Sequence, residues 1–180
     1  MAPQKKVLIF GSSGQDGSLL CHSLIRKGYS VIGIRRNSTE LAKNHYRLGI
    51  EKDLQIRECN LMDFQNLRQM IMNENPNEIY NLAAQSSVGK SFTNPRETIE
   101  SIVNGTLNIL EACKQIKYEG KLFFAGSSEI FGNTEIAADI NHKQKPSSPY
   151  GIAKQTSFNL VKVYRNIHNL NCNTGILFNH

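Results

Sequence analysis

No apolar run in this sequence approaches the ~20 residues that a membrane-spanning helix needs, and the N-terminus has no apolar h-region of a secretory signal. A cytoplasmic protein with no membrane partner is therefore expected. Cysteine is sparse: Cys21, Cys59, Cys113 and Cys172 lie far apart, without a CxxC pair or metal-ligand spacing, and read as reduced, mostly buried small residues. The five histidines form no HxxxH or HExxH pair, which leaves a metal site unsupported. Asn37-Ser38-Thr39 and Asn104-Gly105-Thr106 match the glycosylation triplet, but without an export signal the match is empty. Repeats, low-complexity tracts and linkers are also lacking. The net charge of +6 comes from cations scattered among acids rather than from a basic run. A solvated surface with some phosphate affinity is expected, and no nucleic-acid partner.

What is present suits one α/β domain. The 180 residues, 39% hydrophobic and 8% aromatic, can bury a single core, which argues against disorder. Strand signals fall at Val7 to Phe10, Ser30 to Arg35, Leu54 to Glu58, Glu78 to Leu82, Lys121 to Ala125 and Thr174 to Phe178. Helix signals fall between them, at Ser18 to Lys27, Asp63 to Asn73, Thr98 to Lys114 and Pro149 to His168. Asp63 reads as an N-cap, with Leu67, Met70 and Ile71 on one face behind it. Strands alternating with helices imply parallel pairing through right-handed crossovers.

The first strand runs directly into Gly11-Ser12-Ser13-Gly14-Gln15-Asp16-Gly17. A tight turn at Gly11 and a side-chain-free position at Gly14 let backbone approach a pyrophosphate, and Gly17 lets the next helix sit close to the strand. The NH groups and positive dipole end of that helix then attract the anion. Placed between strand and helix, the motif selects a doubly wound parallel sheet of the Rossmann dinucleotide-binding type, with ligands at the carboxyl ends of the strands.

The strand ends carry the candidate chemistry. After the second strand, where an NAD site places an acid, stand Arg35 and Arg36, followed by Asn37-Ser38; two guanidinium forks suit a 2′-phosphate, so NADP is preferred, with NAD the alternative. After the fourth come Leu82, Ala83, Ala84, Gln85 and Ser86, mostly small residues along which a cofactor can pass. After the fifth come Ser127 and Glu129, which in an extended stretch would share one side. Tyr150 and Lys154 follow Pro149 at a helix start and share a face, so the ammonium is expected to lower the phenol's pKa from about 10. A tyrosinate so placed can take a sugar hydroxyl proton as hydride leaves for nicotinamide.

At these residues the chain resembles the extended short-chain dehydrogenase/reductase superfamily and, within it, the GDP-mannose 4,6-dehydratase family. The resemblance rests on Gly14-Gln15-Asp16-Gly17-Ser18, Ile79-Tyr80-Asn81-Leu82-Ala83-Ala84-Gln85-Ser86, Ser91-Phe92, Gly105-Thr106-Leu107, Ser148-Pro149-Tyr150 and Gly175-Ile176-Leu177-Phe178-Asn179-His180, and covers essentially the whole chain. It implies that Tyr150, held by Lys154, deprotonates the hydroxyl on carbon 4 of GDP-mannose as hydride passes to NADP, with Ser127 on the same oxygen. Glu129 then takes the carbon 5 proton and returns it to the departing carbon 6 hydroxyl, and carbon 6 is reduced.

The resemblance also implies cofactor contacts from Gly11, Ser13, Gly14, Gln15, Asp16, Gly17, Arg35, Arg36, Asn60, Leu61, Leu82, Ala83, Ala84, Ser86, Tyr150, Lys154 and His180. Substrate contacts are implied from Gln85, Ser86, Ser127, Glu129 and Asn179, no metal, and a homodimer or homotetramer. Ser127 stands where the family has Thr, Asn60 where it has an Asp, and the segment from Asn37 to Leu54 is shorter than in typical members. Residues 1–180 would form the dinucleotide-binding domain, with a smaller sugar-holding domain expected beyond His180.

Competing readings are a related nucleotide-sugar epimerase, reductase or decarboxylase, and a noncatalytic dinucleotide-binding module. Ala84-x-x-x-x-Gly89-Lys90-Ser91 misses the phosphate-loop NTPase pattern by one glycine, and Pro95 would break the helix that pattern requires.

Overall fold

A computed structural model describes residues 4–36 and 43–178. Asn37, Ser38, Asn179 and His180 lie outside the described residues.

The first strand, β1 (Lys6–Phe10), is apolar without alternation because both its faces are covered. Leu8 and Phe10 point into one core cluster, Val7 and Ile9 into another on the opposite face. The second strand, β2 (Ser30–Arg35), pairs with β1 in parallel, Lys6 opposite Ser30. The remaining strands are β3 (Gln55–Glu58), β4 (Glu78–Asn81), β5 (Lys121–Ala125) and β6 (Cys172–Gly175). All neighbours pair in parallel, in the order β3-β2-β1-β4-β5-β6. That order reverses between β1 and β4, which opens a crevice at their carboxyl ends.

Helix α1 (Gln15–Arg26) packs Cys21 and Leu24 against Val7, Ile9 and Val31. The other face is covered by α3 (Phe64–Glu74), through Leu67 and Ile71, and by α6 (Gly105–Gln115), through Ile109 and Leu110. The 20-residue α7 (Pro149–His168) adds Val161 and Tyr164 to that cluster. Its start is encoded locally: Ser148 Oγ accepts from Gly151 N–H at 3.0 Å, and Pro149 occupies the first turn, where no donor is needed. Asp63 caps α3 by accepting from Asn66 N–H.

The described residues also form three short α-helices: α2 (Lys43–Leu48), α4 (Val88–Thr93) and α5 (Pro95–Ile99). Only a single residue, Asn94, separates α4 from the Pro95 that opens α5, so the helix after Lys90-Ser91 is indeed interrupted. Helix α5 runs without a break through a π-turn (Glu100–Asn104) into α6. The Ile102 carbonyl inside this turn accepts from two hydroxyls, Thr106 Oγ1 and Ser157 Oγ, which join it to α7.

The last strand corrects the expected Thr174–Phe178 range. Pairing runs from Leu122–Cys172 to Ala125–Gly175 and stops with β5. Beyond it, Leu177 and Phe178 leave the sheet and line the crevice, which is why an apolar run there is not a strand.

Candidate active site

A cleft of about 1270 Å³ opens at the carboxyl ends of the strands. Its floor is the glycine turn between β1 and α1. Gly11 has φ +79°, and a Cβ there would stand 2.8 Å from the backbone of Leu82 and Ala83. At Gly17 a Cβ would stand 2.1 Å from the Gly11 carbonyl oxygen, so only hydrogen lets α1 press onto the turn. A Cβ at Gly14 would meet nothing nearer than 3.4 Å, which leaves that position open as an approach.

The first helical bond of α1 runs from Ser18 N–H to Gly14 O, so the amides of Gln15, Asp16 and Gly17 lie ahead of the helical ladder. Its N-cap residue, Gly14, offers no side-chain cap at this end. With Ser13 also in the lining, the cradle fits a diphosphate, on the glycines and on the helix start.

The walls come from the neighbouring strand ends. Arg35 ends β2 and Arg36 follows it, half-buried and exposed respectively. Lys43, Asn44 and Arg47 of α2 join them, so four cations line this end. Asn60 and Leu61 follow β3; Asn60 Oδ1 accepts from Met62 N–H, and Leu61 O accepts from Asn108 Nδ2 at 2.7 Å. Leu82, Ala83, Ala84 and Ser86 line the side after β4. Glu97, Glu100 and Ser101, spaced along one face of α5 and the π-turn, line the side facing them.

Ser127, Tyr150 and Lys154 meet at the remaining end. Burial pushes the Tyr150 phenol above its ordinary pKa; a hydrogen bond with Ser127 opposes the rise, and the charge of Glu129 adds to it. Burial alone lowers the Lys154 ammonium to about 8. Lys154 Nζ lies 5.6 Å from the centre of the Tyr150 ring and donates to Ala125 O at 2.8 Å. The expectation that Lys154 would lower the Tyr150 phenol is therefore corrected: burial dominates, and the ammonium spends its hydrogen bond on β5.

A second correction concerns the stretch after β5. Ser127 Oγ accepts from Glu129 N–H at 3.2 Å and turns Ser128–Ile130 into a 3-10 turn, so Ser127 and Glu129 do not share the side of an extended strand. Glu129 instead sits under the first turn of α7, where its carbonyl oxygen is 2.7 Å from the place of a Cβ on Gly151. It is half-buried and outside the cleft lining, although its charge reaches Tyr150.

Gln85 is also outside the lining. Its Nε2 donates to Ser87 O and Thr98 Oγ1, which folds the side chain down onto α4 and α5. The expected contacts of Asn179 and His180 fall outside the described residues. The α2 cations and the α5 acids were not anticipated. Lys43 and Arg47 carry the four-residue helical spacing on a segment too short for periodicity to stand out, whereas Glu97, Glu100 and Ser101 lie at the start of the continuous helix that leads into α6, where no motif marks them as facing the cleft.

A family model described as GDP-mannose 4,6 dehydratase matches residues 8–180. GDP-mannose 4,6-dehydratase of Vibrio cholerae is 35% identical over 189 residues, covering 98% of this chain and 50% of that protein. GDP-mannose 4,6 dehydratase 2 of Arabidopsis thaliana is 37% identical, covering 99% and 51%. Among solved structures, UDP-glucose 4-epimerase from Brucella ovis in complex with NAD superposes with a TM-score of 0.87 over 97% of this chain and 52% of that one. At 23% identity it shows the shared fold alone. The chain thus spans about half the length of the curated relatives it matches. With the glycine cradle and the Tyr150/Lys154 pair in place and the family model matched from β1 to the last residue, the chain belongs to the GDP-mannose 4,6-dehydratase family.

Proposed function

We propose that this chain is the dinucleotide-binding part, residues 1–180, of a cytoplasmic, homo-oligomeric nucleotide-sugar 4,6-dehydratase. The enzyme converts GDP-mannose to GDP-4-keto-6-deoxymannose and water, with NADP as its resident cofactor. In this reading the remaining contacts to the sugar nucleotide come from the part of the full-length protein that corresponds to the other half of the relatives.

The carrying observation is that Ser127, Tyr150 and Lys154 meet at one end of the cleft, with a carboxylate residue, Glu129, bonded through its N–H to Ser127 Oγ. A plain oxidoreductase has no use for that carboxylate.

NADP, when bound, supplies the hydride acceptor for oxidation at carbon 4 and the donor for reduction at carbon 6. The glycine turn holds its diphosphate, and Arg36 with Arg35 holds its 2′-phosphate. Tyr150 accepts the proton of the carbon 4 hydroxyl while Ser127 hydrogen-bonds that oxygen. Burial disfavours the charged form of both Tyr150 and Lys154, raising the one pKa and lowering the other, with the two side chains one turn of α7 apart. Once carbon 4 is a ketone, the carbon 5 hydrogen is acidic. Glu129 takes it and hands a proton to the departing carbon 6 hydroxyl, acting first as base and then as acid; when hydride then adds to carbon 6, carbon 5 regains a proton, which balances the one Tyr150 took from the carbon 4 hydroxyl.

The test is mass analysis of the product that the full-length enzyme forms from GDP-mannose. Loss of 18 mass units (one water), with no external reductant consumed, is expected. A product of unchanged mass would move the reading to an epimerase.

A further inference from the structure

Beneath the glycine turn, α2 meets two consecutive carbonyls that no sequence motif singles out. His45 is buried, 4% exposed, and its Nε2 lies 2.7 Å from Ser12 O. A carbonyl only accepts, so Nε2 carries the proton and donates. One residue earlier, Asn44 Nδ2 donates to Ser13 O at 3.1 Å.

The rest of the turn is pinned just as closely. Gly14 N–H donates to Gly11 O at 3.1 Å, Gly11 N–H donates to Ile34 O at 3.2 Å, and the fully buried Ser12 side chain lies against Gly33, where a Cβ would come within 2.6 Å of its Oγ.

We infer that His45 is a positioning residue for diphosphate binding: its bond to Ser12 O, seconded by Asn44 on Ser13 O, holds these carbonyls away from the cleft. The amides at the start of α1 are then the groups presented to the anion. The inference rests on the dinucleotide reading of the cleft and adds to it a residue that cannot touch the ligand, because His45 is buried and lies outside the cleft lining. Three carbonyl oxygens, those of Gly11, Ser12 and Ser13, each accept a hydrogen bond. A carbonyl released from this arrangement can swing toward the diphosphate, where its negative end repels the anion and removes the preorganisation that makes the cradle bind. α2 follows β2 in the chain, so the same element that presents Lys43 and Arg47 to the cleft also braces its floor.

The test uses the whole 180-residue chain titrated with NADPH, followed by nicotinamide fluorescence, and with 2′-AMP, which probes the cationic end and has no diphosphate. His45→Leu removes the donor and is expected to weaken NADPH about tenfold, the scale of one lost hydrogen bond, while leaving 2′-AMP unchanged. His45→Gln, whose amide reaches the place of Nε2, is expected to restore most of the affinity. If His45→Leu does not fold, His45→Asn, whose amide stops short of Ser12 O, takes its place with the same expectation.

Equal NADPH affinity across the series would overturn the inference. So would a parallel loss for both ligands, which marks a general structural role. A wild-type chain that binds neither NADPH nor NADH would overturn the reading of the cleft itself, and with it this inference. If NADH binds and NADPH does not, the cofactor preference alone fails, and the same series is read with NADH against adenosine.

Discussion

Lys154 Nζ donates to the backbone carbonyl of Ala125 at 2.8 Å, tying the cleft-lining face of α7 to the end of β5. Burial holds this ammonium at about 8, below its ordinary 10.5. Between those two values the unfolded chain binds the proton that the folded chain has released, so stability rises with pH there. Below pH 8 the folded protein bears the full cost of the buried charge. Lys154→Met is expected to melt about 3–8 °C higher than the wild type at pH 7, partly offset by the lost bond to Ala125. The gap should narrow between pH 8 and 10.5. Thermal melts at pH 7 and pH 10 check this, and a gap that widens with pH would contradict the burial argument.

Gly17 and Gly28 predict opposite outcomes for the same substitution. A Cβ at Gly17 lands 2.1 Å from a backbone oxygen, so Gly17→Ala must displace the turn and should cost at least about 2 kcal/mol and abolish dinucleotide binding. Gly28 has φ +80° but open space around it, so Gly28→Ala should cost about 1 kcal/mol and leave binding intact. Urea unfolding with NADPH titration separates the two.

Arg36 is an exposed cation beside the cleft, so its loss should not disturb the core. Arg36→Ala is expected to weaken NADP(H) by about 10- to 100-fold, as for a charge-assisted bond, with little change for NAD(H). Arg35→Ala should act in the same direction and less strongly. Equal NADP(H) affinity with and without Arg36 would remove it from the site.

In the full-length protein, Glu129→Gln should separate oxidation from elimination. The amide neither accepts the carbon 5 proton nor protonates the leaving hydroxyl, so water loss should fall about 10² to 10⁴-fold while NADPH still forms in a single turnover. Tyr150→Phe should stop NADPH formation at the outset. Absorbance of NADPH with GDP-mannose, together with product mass, distinguishes the two. Normal elimination by Glu129→Gln would refute the carboxylate's role.

The 180-residue chain by itself should bind the cofactor and turn over little or no GDP-mannose, because orientation of the sugar supplies much of the rate. Efficient dehydration by this chain would show that its own residues suffice to place the substrate.

Where sequence and structure agree, a strong local signal is responsible. β2, β5 and α7 begin and end where the pattern puts them, because a run buried on both faces in β2, a short apolar run after Lys121 in β5 and a Ser-Pro helix start in α7 leave little choice. The glycine turn was legible for the same reason: no other residue fits at Gly11 or Gly17. α2 and α4 escaped because six residues make fewer than two turns, too few for a period to show. The 3-10 turn at Ser128–Ile130 escaped because a side chain, Ser127 Oγ, bends the backbone where pattern alone predicts extension. α1 starts at Gln15, three residues ahead of the apolar face, since Gly14 already serves as its N-cap. The bond from His45 to Ser12 joins residues 33 apart, a distance over which no local pattern speaks.

The reversal of strand order between β1 and β4 also sets when the site can exist during folding. Lys6 N–H bonds to Asn77 Oδ1 across 71 residues of chain, and every contact that seats β4 beside β1 carries a similar separation. Closing so long a loop is entropically unfavourable and slow compared with helix formation. A chain released from denaturant should therefore regain helical circular dichroism first and NADPH binding last, with the delay set by β4 finding β1. The cleft is then a reporter of completed topology, silent in any partly folded species that has its helices but not its central strand pair.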